Sequence, residues 1–109
     1  MEKDWVNGYI KNRNRNVLFG PSDWRRLPKV VCKDGFTVSM QVGEGLYSTP
    51  RTANAKHYEA VELGYPSAGD SLISPYAEDG DRETDTVYPY VPIDVVNELF
   101  ESHGGISNY

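Results

Sequence analysis

The sequence predicts a small α+β fold: a twisted antiparallel sheet of three to five strands with a C-terminal helix packed on one face. Three observations carry this. A turn signal, Asp34-Gly35, sits between two runs of β-formers. The run Phe36 to Val42 alternates apolar and polar residues with period two. The segment from Pro92 to His103 switches to helical spacing.

The hairpin comes first. Val30, Val31 and Cys32 lead into Lys33-Asp34-Gly35, where glycine supplies the positive φ that a tight turn needs. Phe36, Val38, Met40 and Val42 then fall on one face, expected to be buried, and Thr37, Ser39 and Gln41 on the other. Gly43-Glu44-Gly45 ends the strand, and Leu46 to Lys56 reads as a loop. A strand resumes over His57–Tyr65, with Tyr58, Val61, Leu63 and Tyr65 as packing candidates, and Gly64 and Pro66 close it. Pro66 to Asp85 is a long excursion in which Asp70–Ser74 can carry one helical turn. Thr86–Val91 returns to β. Pro89 cannot donate to a ladder, so this strand belongs at an edge.

The helix is the best-marked element. Ile93, Val96, Leu99 and Phe100 form its apolar stripe, and Asp94, Asn97, Glu98 and Glu101 face away. Pro92 suits the first helical position. Asp94 near the start and His103 near the end suit the helix dipole. Gly104-Gly105-Ile106 reads as a glycine cap with an apolar residue folding back.

Residues 1–28 are expected to form a basic, partly irregular arm, and residues 29–109 a single domain. Trp5, Val6, Tyr9 and Ile10 have the spacing of a short helical face, which Asn7 and Gly8 weaken. The segment 12–16, alternating Asn and Arg, follows no burial pattern.

Charge is divided along the chain. Up to Lys33 there are eight Lys and Arg against three Asp and Glu, net +5; from Asp34 onward, three against thirteen, net −10. The whole chain carries −5. Such asymmetry points to a charged partner, or to an arm attracted by its own acidic body. A sequence pI near 4.9 argues against direct nucleic-acid binding, despite Arg13, Arg15, Arg25 and Arg26 interleaved with Trp5, Phe19 and Trp24. A single cysteine forms no intramolecular disulfide. With no long apolar run, neither a membrane span nor a secretion signal is expected, and the reading is cytoplasmic.

No catalytic motif stands out, and a non-enzymatic role without cofactor or metal is expected. Cys32 with His57 or His103 would be a nucleophile and base, but a lone cysteine among valines reads as a small buried hydrophobe. Glu78, Asp79, Asp81, Glu83 and Asp85 crowd eight positions. A calcium loop counted from Asp79 needs Gly at its sixth position and Glu at its twelfth; the chain has Thr84 and Tyr90. The open alternatives are a solvated loop, an acidic recognition surface, with Tyr76, Tyr88 and Tyr90 giving rigid contact area beside the carboxylates, and, less favoured, a cation site of another pattern. A second candidate is a small-molecule or nucleotide pocket lined by Tyr47, Arg51, Tyr58 and Tyr65.

Several stretches together resemble a loose group of small uncharacterised proteins encoded in bacteriophages and prophages. They are Val31–Gln41, Tyr47 with Pro50-Arg51, Val61–Ser67, Pro75–Asp79, Thr86–Pro92 and His103–Ile106. The resemblance spans residues 30 to 106. That group usually has Gly at the position of Pro89 and a second Cys at that of Ser48. The resemblance implies a phage accessory protein and carries over no functional residue. Phage proteins of this size and acidity are often inhibitors of host defence, the anti-CRISPR type among them; the acidic, tyrosine-bearing surface would then be expected to face a host protein with a basic nucleic-acid-binding surface in the host cytosol. A structural phage accessory protein is the further alternative. Oligomeric state stays open, with a homodimer among the choices.

Overall fold

The computed structural model describes residues 3–14, 27–52 and 55–109. Its elements are α1 (Trp5–Asn14), β1 (Val30–Val31), β2 (Thr37–Gln41), β3 (Ala60–Gly64), a short 3₁₀ turn (Ser74–Tyr76), β4 (Val87–Pro92) and α2 (Ile93–Ser102). The strands form one antiparallel sheet in the order β1-β2-β3-β4. With α2 packed against β4, this is the expected α+β fold.

The hairpin forms where the turn signal lies. Gly35 has φ 99°, and Cys32 N–H donates to the Phe36 carbonyl at 2.8 Å. Phe36, Val38 and Met40 are buried, as the alternation requires. Val42 is only partly buried, because pairing ends at Gln41 and the chain turns at Gly43. Gln41, expected outside, is buried: its amide both accepts from Leu27 N–H and donates to the Leu27 carbonyl.

The helix stripe is also as expected. Ile93, Val96, Leu99 and Phe100 are buried. Pro92 stands one place earlier than expected, closing β4 as the cap residue. The N–H of Ile93 is then taken by the Glu59 carbonyl. At the far end Gly105 N–H donates to the Phe100 carbonyl, and Ile106 folds back to pair with Cys32.

Of residues 1–28, the described stretch from Trp5 to Asn14 is helical and lies on the domain. Val6, Tyr9 and Ile10 are buried in the same core as the sheet, and α1 packs on α2. Asp4 caps α1 by accepting from Asn7 N–H. Asn97 of α2 accepts from Val6 N–H, another donor that a helix start leaves unpaired. The two residues that weakened the helix have specific roles. The Asn7 side chain pairs with the Tyr58 backbone in both directions, at 2.8 and 3.1 Å. Gly8 leaves space for the Tyr109 ring, which a Cβ would overlap. Residues 15–26, with Arg15, Phe19, Trp24, Arg25 and Arg26, lie outside the described residues.

Both sheet edges are covered or blunted. Along β1, Ser107 N–H donates to the Val31 carbonyl, and the Asn108 amide clamps Val31 N–H and the Lys29 carbonyl. At the other edge β4 contains Pro89 and Pro92 and a bulge, so it offers a poor template for a further strand.

Candidate functional site

The acidic segment lies beyond the start of β4, held at its base by backbone bonds. Glu78 N–H donates to the Val87 carbonyl at 2.9 Å, and Asp79 N–H to Thr86 Oγ1 at 3.1 Å. Arg82 N–H donates to the Asp79 carbonyl, and Asp85 N–H to that of Arg82. Asp79 Oδ1 accepts from Asp81 N–H. These bonds turn a run of like charges into a folded loop. Glu78, Asp79, Asp81 and Asp85 are exposed on it. The Arg82–Asp85 pair at 2.5 Å is exposed on both sides, so it adds little to stability.

Glu83 differs from its neighbours. It is partly buried, with Oε1 2.5 Å from Ser74 Oγ, and its carboxylate lies against Gly69. It therefore anchors the loop to the 69–74 turn.

The tyrosines expected beside these carboxylates are placed differently. Tyr88 is fully buried, and its hydroxyl donates to the Glu83 carbonyl at 2.6 Å. Its expected contact role is corrected: Tyr88 supports the loop from beneath. Burial and the nearby Glu83 raise its hydroxyl pKa. Tyr76 is half-buried against the core. Tyr90 is 42% exposed, but its ring lies 5.6 Å from that of Tyr47, and its N–H donates to the Tyr47 carbonyl. Tyr65, assigned in the sequence to the small-molecule pocket, stands at the base of the acidic loop instead. It is 48% exposed, and its N–H donates to the Thr86 carbonyl.

That pocket does not assemble from its four expected residues. Tyr58 is a core residue whose hydroxyl donates to the Thr52 carbonyl and accepts from Ala55 N–H. Thr49, near Tyr47 and Arg51, pairs with Ala60 at the start of β3, whereas Tyr65 follows the end of β3. At about 3.3 Å per residue, the strand separates those ends by roughly 15 Å. Tyr47 and Arg51 do lie together, with the guanidinium 5.7 Å from the ring centroid.

A cleft of about 420 Å³ lies elsewhere, between Lys3 and Asp4 just ahead of α1, His57 and Glu59, and the start of α2. Lys3, Asp4, His57, Glu59, Asp94 and Asn97 supply its polar lining. Burial pushes the Asp4 carboxyl up, but hydrogen bonds from Asn7 and Asn97 outweigh it and hold the carboxyl below its usual range. Among the described residues, no group of three or more His, Cys, Asp or Glu is arranged to hold a metal ion.

Burial pushes the Cys32 thiol up to about 11, and Asp34 adds to the effect. At neutral pH it is a protonated core side chain, poorly suited to act as a nucleophile. His103, read in the sequence as a helix-end charge, is held more elaborately. Its Nδ1 lies 2.6 Å from Asp34 Oδ2, and its Nε2 2.9 Å from Asp70 Oδ2. Its ring stacks on Phe36 at 4.0 Å. Sequence reasoning missed this because the partners are 69 and 33 positions away.

No described helix is long and apolar enough to cross a membrane. In comparisons with known proteins, no family model matches this chain, and no curated protein or solved structure does either.

Proposed function

We propose that this is a non-enzymatic binding protein that uses its acidic 78–85 loop to occupy a basic surface of a macromolecular partner. The observation that carries this reading is the loop's construction. Three exposed carboxylates, Glu78, Asp79 and Asp81, are carried on a backbone already fixed by hydrogen bonds to Thr86 and Val87. A preorganised loop loses little freedom on binding, so its charges contribute more to recognition than those of a loose tail. Carboxylates held in this way match the Arg and Lys rows that bind phosphates in nucleic-acid-binding proteins. Tyr65, exposed at the loop's base, adds the rigid aromatic area that the sequence had sought in Tyr88.

With its resemblance to phage accessory proteins, the reading extends to an inhibitor of a host nucleic-acid-binding protein in the bacterial cytosol. The test is capture of the partner from host cells on wild-type protein and on a Glu78→Lys, Asp79→Lys, Asp81→Lys variant. A basic nucleic-acid-binding protein retained by the first and lost from the second supports the proposal. A partner retained equally by both contradicts it.

A further inference from the structure

We propose that His103 is a two-armed clasp whose protonation ties the 69–74 turn to the body of the protein and so sets how firmly the acidic loop is presented. This rests on the binding role proposed for that loop. The geometry defines the clasp. Each ring nitrogen of His103 faces a carboxylate oxygen, Asp34 Oδ2 at 2.6 Å and Asp70 Oδ2 at 2.9 Å. A neutral imidazole has one N–H and one lone pair. Only the imidazolium donates to both carboxylates at once.

The two arms are not equivalent. On one side the ring is held several times over. It stacks on Phe36 with the planes 10° apart, and Asp34 N–H donates to the His103 carbonyl at 3.2 Å. On the other side Asp70 reaches the ring through Oδ2 alone. When the ring loses a proton, the remaining N–H stays at Nδ1 with the shorter, better-supported bond. The Nε2 lone pair then faces the Asp70 carboxylate, and that arm is released. Asp34, Asp70 and the Phe36 ring face His103; on the neighbouring chain, the Cys32 thiol feels Asp34, and the Lys33 stem lies beside Gly104.

Asp70 is the organiser of its turn. Its carbonyl accepts from Ile73 N–H and Ser74 N–H, and its Oδ1 from Leu72 N–H. Ser74 Oγ is within hydrogen-bond distance of both the Asp70 carbonyl and Glu83 Oε1, and its single proton serves one at a time. The path from ring to loop is therefore His103, Asp70, Ser74, Glu83. Burial pushes the His103 pKa down, but the two carboxylates outweigh it and raise the pKa above the ordinary 6.5. The switch therefore operates above pH 6.5, with the clasp closed on the acid side.

The test uses the whole chain and no ligand. Nitrogen-15 NMR of the His103 ring reports protonation and tautomer. Amide hydrogen exchange, corrected for its intrinsic pH dependence, reports Leu72, Ile73 and Ser74, with Val38 and Leu99 as references. The expected result is a ring doubly protonated at pH 6 and titrating above 6.5. Across that titration, protection of the three turn amides should fall by about tenfold for each unit of elevation that Asp70→Asn removes, while the references hold. His103→Gln should show the weaker protection at every pH. Asp70→Asn should bring the ring midpoint back toward 6.5. A ring already neutral at pH 6, or turn protection unchanged through its titration, would overturn the clasp. Binding of wild-type protein and the Glu78→Lys, Asp79→Lys, Asp81→Lys variant to an octa-arginine peptide is measured separately. Equal binding overturns the loop's role while leaving the clasp standing.

Discussion

Tyr88 and Val91 are both fully buried although three positions separate them on β4. Strict alternation would send them to opposite faces. The register resolves this: Leu63 pairs with Tyr88 and Val61 with Val91, so two steps on β3 match three on β4. The extra residue is accommodated where Tyr90 takes φ 51°. Pro89, without an N–H, loses no ladder bond there.

The bulge is tested at Tyr90. A left-handed non-glycine residue costs about 1–2 kcal/mol. Tyr90→Gly should therefore stay within about 1 kcal/mol of wild type in urea unfolding, because relief of strain offsets the lost ring contact with Tyr47 and the added chain freedom. Tyr90→Val, β-branched and unable to relax, should lose about 1–3 kcal/mol. Equal stability of the two variants would show that the bulge does not constrain this position.

Gly8 and Tyr109 should be coupled. In the wild type, Gly8→Ala drives a Cβ into the Tyr109 ring and should cost about 1–3 kcal/mol. In a Tyr109→Ala background the same change should become neutral or stabilising by up to about 1 kcal/mol, since Ala is the better helix former. A double-mutant cycle of thermal unfolding measures the difference. Additive effects would place the ring elsewhere.

Core placement on α2 predicts a contrast between near neighbours. Phe100→Ala should cost about 3–5 kcal/mol. Exposed Glu98→Ala should stay within about 0.5 kcal/mol. Chemical denaturation of both gives the answer, and similar losses would mean the helix is rotated from the orientation described.

How legible this was in the sequence depended on range. Phe36, Val38, Met40 and the α2 stripe were readable because their burial follows from local periodicity. The Asp34-Gly35 turn was readable because only a few residues tolerate its backbone. Tyr88 was misplaced because the bulge shifts the alternation by one, and Pro89-Tyr90 carries no pattern that fixes that shift. Gln41 was expected on the outer face and Asn7 only as a weak helix residue, yet both, like Asn108, hydrogen-bond to backbone elsewhere in the chain. The His103 clasp stayed hidden for the same reason: its partners meet only after the sheet and α2 have assembled.

The clasp also gives stability a definite pH profile. The raised pKa of His103 means that its contribution is whole below 6.5 and is lost as pH climbs through the folded value. The Asp34 carboxyl is lowered first by the hydrogen bond from Phe36 N–H and then by His103. Its contribution is whole above 3.8 and is lost as pH falls through the folded value. Unfolding midpoints should therefore be highest between those limits and decline on both sides. His103→Gln should remove the alkaline decline selectively; a decline that persists unchanged would assign it to another group.

The central claim concerns the 78–85 loop, and its most direct test is the salt dependence of association with an immobilised octa-arginine peptide. Wild type, the Glu78→Lys, Asp79→Lys, Asp81→Lys variant and a Glu44→Lys, Asp94→Lys, Glu98→Lys control would be compared. Both variants change net charge equally, so the pair separates the loop from the protein's overall field. The loop reversal should slow association by about tenfold or more and flatten its salt dependence, while the control should slow it much less. Exposed charges screen over about 8–10 Å, so wild-type association should fall between low and physiological salt. Equal slowing by both variants would contradict the account, because net charge and not the built loop would then be what the peptide reads.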